Sequence, residues 1–323
     1  MAQTPTISEL KMGHRISGHE TFACRYAWLP KAAQEVDADS TILTAAKEDD
    51  AMVRLGVGKN MVRSIRFWAE SANFIQSTKV GHEVTEFGRD LLLGDGAFDP
   101  HLEDVQTLWL IHWKLATNQQ SLIFAWDFLL NNFHEPELHA SAVVRAFSKT
   151  LVQISNKEIS RGSLEQLYDV FLHSYVPTRG RKGEVREDNL DCPLVELDLL
   201  RHTGLTKSAL HPGRVEAKYS FRREEKAEIS LSLFAYCLHE YWDARYPQEQ
   251  SIPFHSVVVG HGSPGQIFKI PEADIRSRLL GIDETTDGYF VFEESAAIPR
   301  IVRQQKHAQP SLAKVYCIEA THA

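Results

Sequence analysis

The chain has 323 residues, enough for two or three domains with separate cores, and its 43% hydrophobic and 24% charged content is ordinary for a folded soluble protein. A formal net charge of −8 excludes a molecule coated in positive potential, so contact with nucleic acid has to come from local basic patches. No apolar run reaches the length of a membrane span, the first residues lack a secretion signal, and Cys24, Cys192, Cys237 and Cys317 are scattered without a Cys-x-x-Cys pair; a cytoplasmic protein with reduced thiols and no membrane partner is expected.

Residues 1–8 read as a frayed tail. Ser17-Gly-His-Glu-Thr-Phe22 follows, and residues 25–34 carry helical spacing around Arg25 and Trp28. In residues 40–93, Asp50-Ala-Met-Val-Arg-Leu-Gly-Val reads as a short helix ended by Gly56. A second helix starting near Lys59 puts Lys59, Arg63 and Arg66 on one stripe and Met61, Ile65, Trp68 and Ala72 on the opposite side. Such a helix docks by its apolar back and offers charge forward. Phe74-Ile-Gln76 and Glu83-Val-Thr85 read as strands on either side of a turn holding Gly81, and residues 87–93 resume helical spacing. Together these predict a winged helix-turn-helix, with Lys59, Asn60, Arg63 and Arg66 facing the DNA groove. The plainer alternatives are a solvated basic face and a winged helix used for protein docking. Gly56-Val-Gly-Lys-Asn60 is not a phosphate-binding loop, because Val53 and Asn60 stand where the Walker pattern needs Gly and Ser or Thr; no ATP site is expected.

Asp99-Pro100 opens a helical region in which Leu102, Val105, Leu108, Trp109 and His112 recur at helical spacing. Residues 122–130, 140–154 and 163–173 continue it, the last capped by Ser163. Trp109, Trp113, Phe124, Trp126 and Phe128 read as core rather than as platforms for unpaired bases. Residues 176–191 read as an exposed loop containing Arg179, Arg181, Lys182 and Arg186. Beyond it come a short helix or strand at 193–200, a strand at 215–221 and an amphipathic helix at 230–241. Ser256-Val-Val-Val and Ile267-Phe-Lys-Ile then read as strands around a Gly260–Gly265 loop, before a helix at 272–280 and a strand at 289–292. The fold class expected is mainly α with small β elements. It has an N-terminal segment and winged helix (1–95), a helical middle domain (96–176), and the basic and acidic loop with a small mixed α/β domain (177–323).

Several blocks together resemble one family. They are Ser17-Gly-His-Glu-Thr-Phe22 with Arg25 and Trp28-Leu29, the block from Leu55 to Trp68, and Asp99-Pro-His-Leu-Glu-Asp104 with Leu108-Trp-Leu-Ile-His-Trp113. Glu187-Asp-Asn-Leu-Asp191 with Pro193-Leu-Val-Glu196, and Ser263-Pro-Gly265, complete the set. Over nearly its whole length the chain is similar to the domain-of-unknown-function family DUF4007, found in bacterial DNA-sulfur-modification clusters. The resemblance implies an antiviral defence protein that binds DNA and opens one strand. Its partners would be a cysteine desulfurase and ATP-dependent sulfur-transfer proteins that install sulfur in the backbone, with a homodimer left open.

Cutting a phosphodiester needs a positioned nucleophile and neutralisation of the phosphate oxygens, which clustered carboxylates supply by holding Mg2+ or Mn2+. The densest candidate is Glu187, Asp188 and Asp191 with Glu196, of which Asp188 and Asp191 would hold metal while Arg179, Arg181, Lys182 and Arg186 hold the strand. A solvated loop with a capping acid is the plain alternative. A second candidate is Glu216-Ala-Lys218 with Asp191 or Asp198, in the acid, acid-x-Lys manner of restriction-type nucleases. A third is His19 as base, Glu20 as its orienting or metal-binding partner and Arg25 for phosphate; the alternative is a Glu20–Arg25 salt bridge with His19 as a helix cap. His261 occupies the first Gly place of a nucleophile elbow, so no such elbow is expected. Two functions remain: a metal-assisted DNA nickase, and a non-catalytic DNA-binding adaptor or winged-helix regulator that positions the sulfur-transfer partners.

Overall fold

A computed structural model of the chain describes residues 14–155, 158–177, 192–295 and 297–316. The protein is mainly helical with small antiparallel sheets, as the periodicity leads one to expect. Its described residues divide between Arg222 and Arg223 into two compact units.

In the larger unit, α1 (Trp28–Ala38) buries Trp28, Leu29, Ala32, Ala33 and Val36, one apolar stripe at helical spacing. Helix α2 (Glu48–Leu55) opens with Glu48, Asp49 and Asp50, acids that suit the positive end of the helix dipole, and closes on Gly56 in the left-handed conformation. A turn through Gly58 leads to α3 (Lys59–Ser71), which buries Val62, Ile65, Phe67, Trp68 and Ala69. Met61 is only half-buried, so the inward arc is centred on Ile65 and Trp68 and extends round to Phe67 and Ala69. Strands β1 (Ile75–Ser77) and β2 (His82–Val84) pair antiparallel, Ile75 opposite Val84. Thr85 then caps α4 (Glu86–Leu92) by accepting the Gly88 amide at 3.0 Å.

Helix α5 (Val105–Thr117), capped by Asp104, is buried on almost every side, and α6 (Phe124–Asp127) runs into a π-helical turn at Phe128–Asn132. Helix α7 (Ala140–Ser155) is followed by α8 (Arg161–Tyr175). The cap of α8 is Ser160, whose hydroxyl accepts the Ser163 amide at 3.2 Å, and not Ser163 itself. A 3-10 turn (Pro193–Leu197) leads to the antiparallel hairpin β3 (Leu200–Lys207) and β4 (Val215–Phe221). Sequence periodicity missed β3 because beyond Leu200 both its faces are exposed or nearly so, leaving no apolar alternation to read.

One aromatic seam ties these helices together. The Trp68 ring meets Phe67 at 5.2 Å and Trp126 at 5.6 Å, and Trp126 meets Phe171 at 5.0 Å, all edge-to-face. The buried Tyr175 hydroxyl closes the seam, bonded to Trp126 Nε1 and to His112 Nδ1, each at 2.7 Å. Trp109, Trp113, Phe124, Trp126 and Phe128 all lie in this core.

In the smaller unit, α9 (Leu231–Arg245) starts at the Ser230 cap. Around it lie β5 (Ser251–Pro253), α10 (Phe254–Val259), α11 (Pro264–Phe268), α12 (Glu272–Leu280), α13 (Ile282–Thr285), β6 (Phe290–Glu293), β7 (Arg300–Arg303) and α14 (Leu312–Tyr316). The sheet order is β5-β7-β6, antiparallel throughout. Two expected strands are helices. In Ser256-Val-Val-Val only Val257 is buried and Val259 is exposed, where a half-buried strand would hide both. Ile267-Phe-Lys-Ile lies in and just after α11, which Ser263 caps and Pro264 starts; Ser-Pro is a helix-opening signal that outweighs four residues of apparent strand character. Among the described residues no helix is long and apolar enough to cross a membrane.

Trp68→Ala is expected to lower stability by about 3–5 kcal/mol, because it empties the seam and orphans the carbonyl that Trp68 Nε1 bonds. Urea unfolding followed by far-UV circular dichroism measures it; a loss under about 1 kcal/mol would show that the seam is not what holds α3.

Candidate nucleic-acid interface

Helix α3 presents its cations on the face away from the aromatic seam, and Glu48 of α2 meets two of them. Arg63 Nε lies 2.7 Å from one Glu48 oxygen and Lys59 Nζ 2.8 Å from the other. Hydrogen bonding to Arg63, then to Lys59, holds the Glu48 carboxyl below its usual range, and the same bond raises Arg63. Both cations stay accessible, with side chains 54% exposed for Lys59 and 41% for Arg63, so a stronger anion can still reach them. Asn60 is exposed beside them. Arg66, one turn further on, donates to the Leu43 carbonyl at 3.2 Å.

The β1–β2 hairpin stands next to α3 with Lys79 and Val80 exposed on its turn. Its position is fixed by backbone contact: the His82 amide donates to the Ser40 carbonyl at 2.7 Å, and a Cβ on Gly81 would lie 2.2 Å from that oxygen. Only glycine permits this approach. At the back of the hairpin, His82 Nε2 lies 3.0 Å from Glu70, which also accepts Arg15 at 2.7 Å. Burial works to raise Glu70, but the bonds from His82 and Arg15 outweigh it and leave its carboxyl below the ordinary range.

The Ser17-to-Phe22 segment is strapped across α3. Ser64 Oγ donates to the His19 carbonyl at 3.0 Å and Trp68 Nε1 to the Phe22 carbonyl at 3.1 Å. Gly18 packs directly on the Phe67 ring, with φ +110. His19 is buried edge-on to Phe67, and its Nδ1 donates to the Glu20 carbonyl at 2.8 Å, which leaves the lone pair on Nε2. Nε2 has no partner among the described residues. Glu20 has φ +52, and its charge helps to raise Arg63, whereas Arg25 lies over the Trp28 ring. The strap therefore brings His19 and Glu20 of the third candidate set to α3.

The family described as "Protein of unknown function (DUF4007)" matches residues 16–316. The chain belongs to that family. Its fold is SspB-like. A magnesium ion-bound SspB crystal structure superposes with a TM-score of 0.78 at 24% identity, over 93% of this chain and 86% of that one. A second SspB crystal structure gives 0.76 at 26% identity, over 89% and 82%. No curated protein sequence matches.

In this DUF4007 chain, Arg179, Arg181, Lys182, Arg186, Glu187, Asp188 and Asp191 lie outside the described residues. Glu196 is exposed on the 3-10 turn and accepts the Tyr26 hydroxyl; burial first, then Glu196, pushes Tyr26 above its ordinary value. Glu216 and Lys218 do share a face of β4, but each is already engaged. Glu216 takes His139 Nδ1 at 2.6 Å and the Ser141 hydroxyl at 2.9 Å, and these bonds lower its carboxyl against the opposing effect of burial. Lys218 grips both oxygens of Glu137, at 2.9 and 2.8 Å. Asp198 pairs with Arg201 at 3.1 Å. Among the described residues no group of three or more His, Cys, Asp or Glu is arranged to hold a metal ion. Cys24, Cys192 and Cys237 are buried free thiols. Sequence reading missed Glu48, Glu70, His82 and Arg15. The two glutamates were visible at the start of α2 and on α3 itself, whereas Arg15 arrives only through a parallel bridge to Ile123, which no local pattern announces.

Burial, and then the Arg15 charge, lower His19 below its ordinary 6.5. The unfolded chain therefore takes up the proton first, so stability is complete above about pH 6.5 and falls as the pH drops below it. His239 is also lowered by burial and acts in the same window, so the comparison has to be with a variant. Stability measured between pH 7 and 5 should fall more steeply in the wild type than in His19→Gln; equal slopes would remove His19 from the acid response.

Proposed function

We propose that this chain is the DNA-binding, strand-nicking member of a bacterial DNA phosphorothioation defence system. The observation that carries the proposal is the SspB-like fold across 93% of the chain, joined to a helix whose exposed face bears Lys59, Arg63 and Arg66. The order α2, Gly-containing turn, α3, β1–β2 hairpin supports reading residues 48–92 as a winged helix-turn-helix, α3 entering the major groove and the hairpin lying along the backbone. Lys59, Asn60, Arg63 and Arg66 would then contact DNA. Phosphates would replace Glu48 as the partners of Lys59 and Arg63, an exchange of one ion pair for another.

Nicking is assigned to the Glu187, Asp188, Asp191 and Glu196 set, with Arg179, Arg181, Lys182 and Arg186 holding the strand. Mg2+ or Mn2+ on Asp188 and Asp191 would neutralise the phosphate oxygens and supply the attacking water. The magnesium ion in the first SspB crystal structure supports a divalent-metal reading. Cysteine desulfurase and ATP-dependent sulfur-transfer proteins would act on the opened strand.

Binding to a labelled duplex, followed by fluorescence anisotropy across a salt series, tests the first half. Lys59→Ala and Arg63→Ala should each weaken binding to all sequences and reduce the salt slope by about one. Glu48→Gln removes the internal competitor and should tighten binding severalfold. Unchanged slopes in both alanine variants would defeat the α3 assignment. Relaxation of supercoiled plasmid with Mg2+, Mn2+ or chelator tests the second half. Wild type should nick only with metal, and Asp188→Ala and Asp191→Ala should not nick. If those variants nick as fast as wild type the acidic set is wrong, and if wild type never nicks the protein is an adaptor.

A further inference from the structure

Between α3 and the β1–β2 turn lies a polar cleft of about 430 Å3, within the size range of small-ligand sites. Arg15, Arg66 and Lys79 line it, with Glu70 as its one carboxylate and His82 beside it. Glu70 is already saturated. One of its oxygens accepts Arg15 at 2.7 Å; the other accepts His82 Nε2 at 3.0 Å and the Ser77 hydroxyl at 3.1 Å. Its charge is thus committed, and two cations that line the cleft are left over. Arg66 has no carboxylate partner among the described residues, only the Leu43 carbonyl, and Lys79 stands exposed on the hairpin turn.

Arg15 cannot turn away to relieve this surplus. Its amide donates to the Leu122 carbonyl at 2.8 Å and its carbonyl accepts the Phe124 amide at 3.0 Å. Its guanidinium also bonds Ser121 Oγ at 2.7 Å and lies over the Phe67 ring, 4.2 Å from the centroid. Burial is the main reason Arg15 lies below its ordinary value, and the charge of Arg66 adds to that against the pull of Glu70. Like charges lining one cleft, one of them fixed from behind, are an arrangement that an oxyanion relieves. Thr78 adds a hydroxyl donor, since its oxygen accepts the Gly81 amide at 3.1 Å and its proton stays available, whereas Thr44 and Ser77 already donate to the Thr41 carbonyl and to Glu70.

We propose that this cleft is a phosphate site which takes a backbone phosphate of nucleic acid, with Arg66 and Lys79 supplying the free charge and Arg15 the fixed wall. The nucleic-acid source rests on the function proposed above; the phosphate chemistry does not. If the hairpin is the wing of a winged helix, the cleft lies where the sugar-phosphate strand passes between wing and recognition helix.

The full chain is tested against two ligands in parallel: a labelled duplex by anisotropy, and inorganic phosphate by calorimetry at constant ionic strength. Wild type should bind both, with phosphate competing against the duplex. Arg66→Gln should weaken both by about tenfold, the loss expected for one charged hydrogen-bonding group. Lys79→Ala should weaken both severalfold. Arg66→Lys should recover part of the loss, which separates charge from packing, and far-UV circular dichroism checks that each variant folds. Lys59→Ala should weaken the duplex and leave phosphate unchanged. If duplex binding needs Lys59 but neither Arg66 nor Lys79, the cleft assignment is overturned and DNA binding stands. If phosphate binds through Arg66 but no duplex binds, the nucleic-acid source is overturned and a site for free phosphate remains. If neither ligand binds the wild type, both proposals fall.

Discussion

The arrangement rests on how α3 is held. A helix that offers three long cations outward needs a back heavy enough to fix its rotation, and Trp68 provides it. Its ring packs on Phe67 and Trp126, and its indole nitrogen bonds the Phe22 carbonyl. The buried faces of Val62, Ile65 and Ala69 add the apolar area, each large side chain contributing on the order of 1.5–3 kcal/mol. Turning the helix would expose that surface, so its charged face is set by burial rather than by its own charges. The Ser17-to-Phe22 strap and the β1–β2 hairpin are both positioned against this one element.

Electrostatics on the exposed side follow from two glutamates. Glu48 balances the start of α3, where it takes Lys59 and Arg63; Glu70 balances the end, where it takes Arg15 and His82. Among the described residues Arg66 and Lys79 pair with no carboxylate, which gives a local positive patch in a chain with a net charge of −8. The Glu48 pairs are half-exposed and cost little to exchange, whereas the Glu70 network is largely buried and serves as scaffold.

Much of this was legible in the sequence where local chemistry decided the outcome. The glycine at 56, the run of acids before it and the apolar spacing from Ile65 to Trp68 specify two helices and a tight turn, and the aromatic residues of α5 and α6 announce a core. Legibility failed where the deciding partner is remote. Strand β3 has no buried face, so its pairing with β4 leaves no periodic trace. The valines of α10 read as a strand because β-branched residues suit one, yet only Val257 finds a buried place. Glu216 and Lys218 matched a nuclease pattern by spacing alone. Their partners His139, Ser141 and Glu137 lie more than seventy residues earlier in the chain and could not be inferred from the motif.

The parallel bridge between Arg15 and Ile123 has a wider genetic meaning. It braces a half-buried cation from behind by the backbone at Leu122 and Phe124, and Phe124 itself stacks on Phe128 and meets Phe147 edge-on. Damage to that interior aromatic layer would travel through two backbone hydrogen bonds to the cleft. Inactivating alleles would then map to positions that no ligand touches, and a survey of surface residues alone would overlook them.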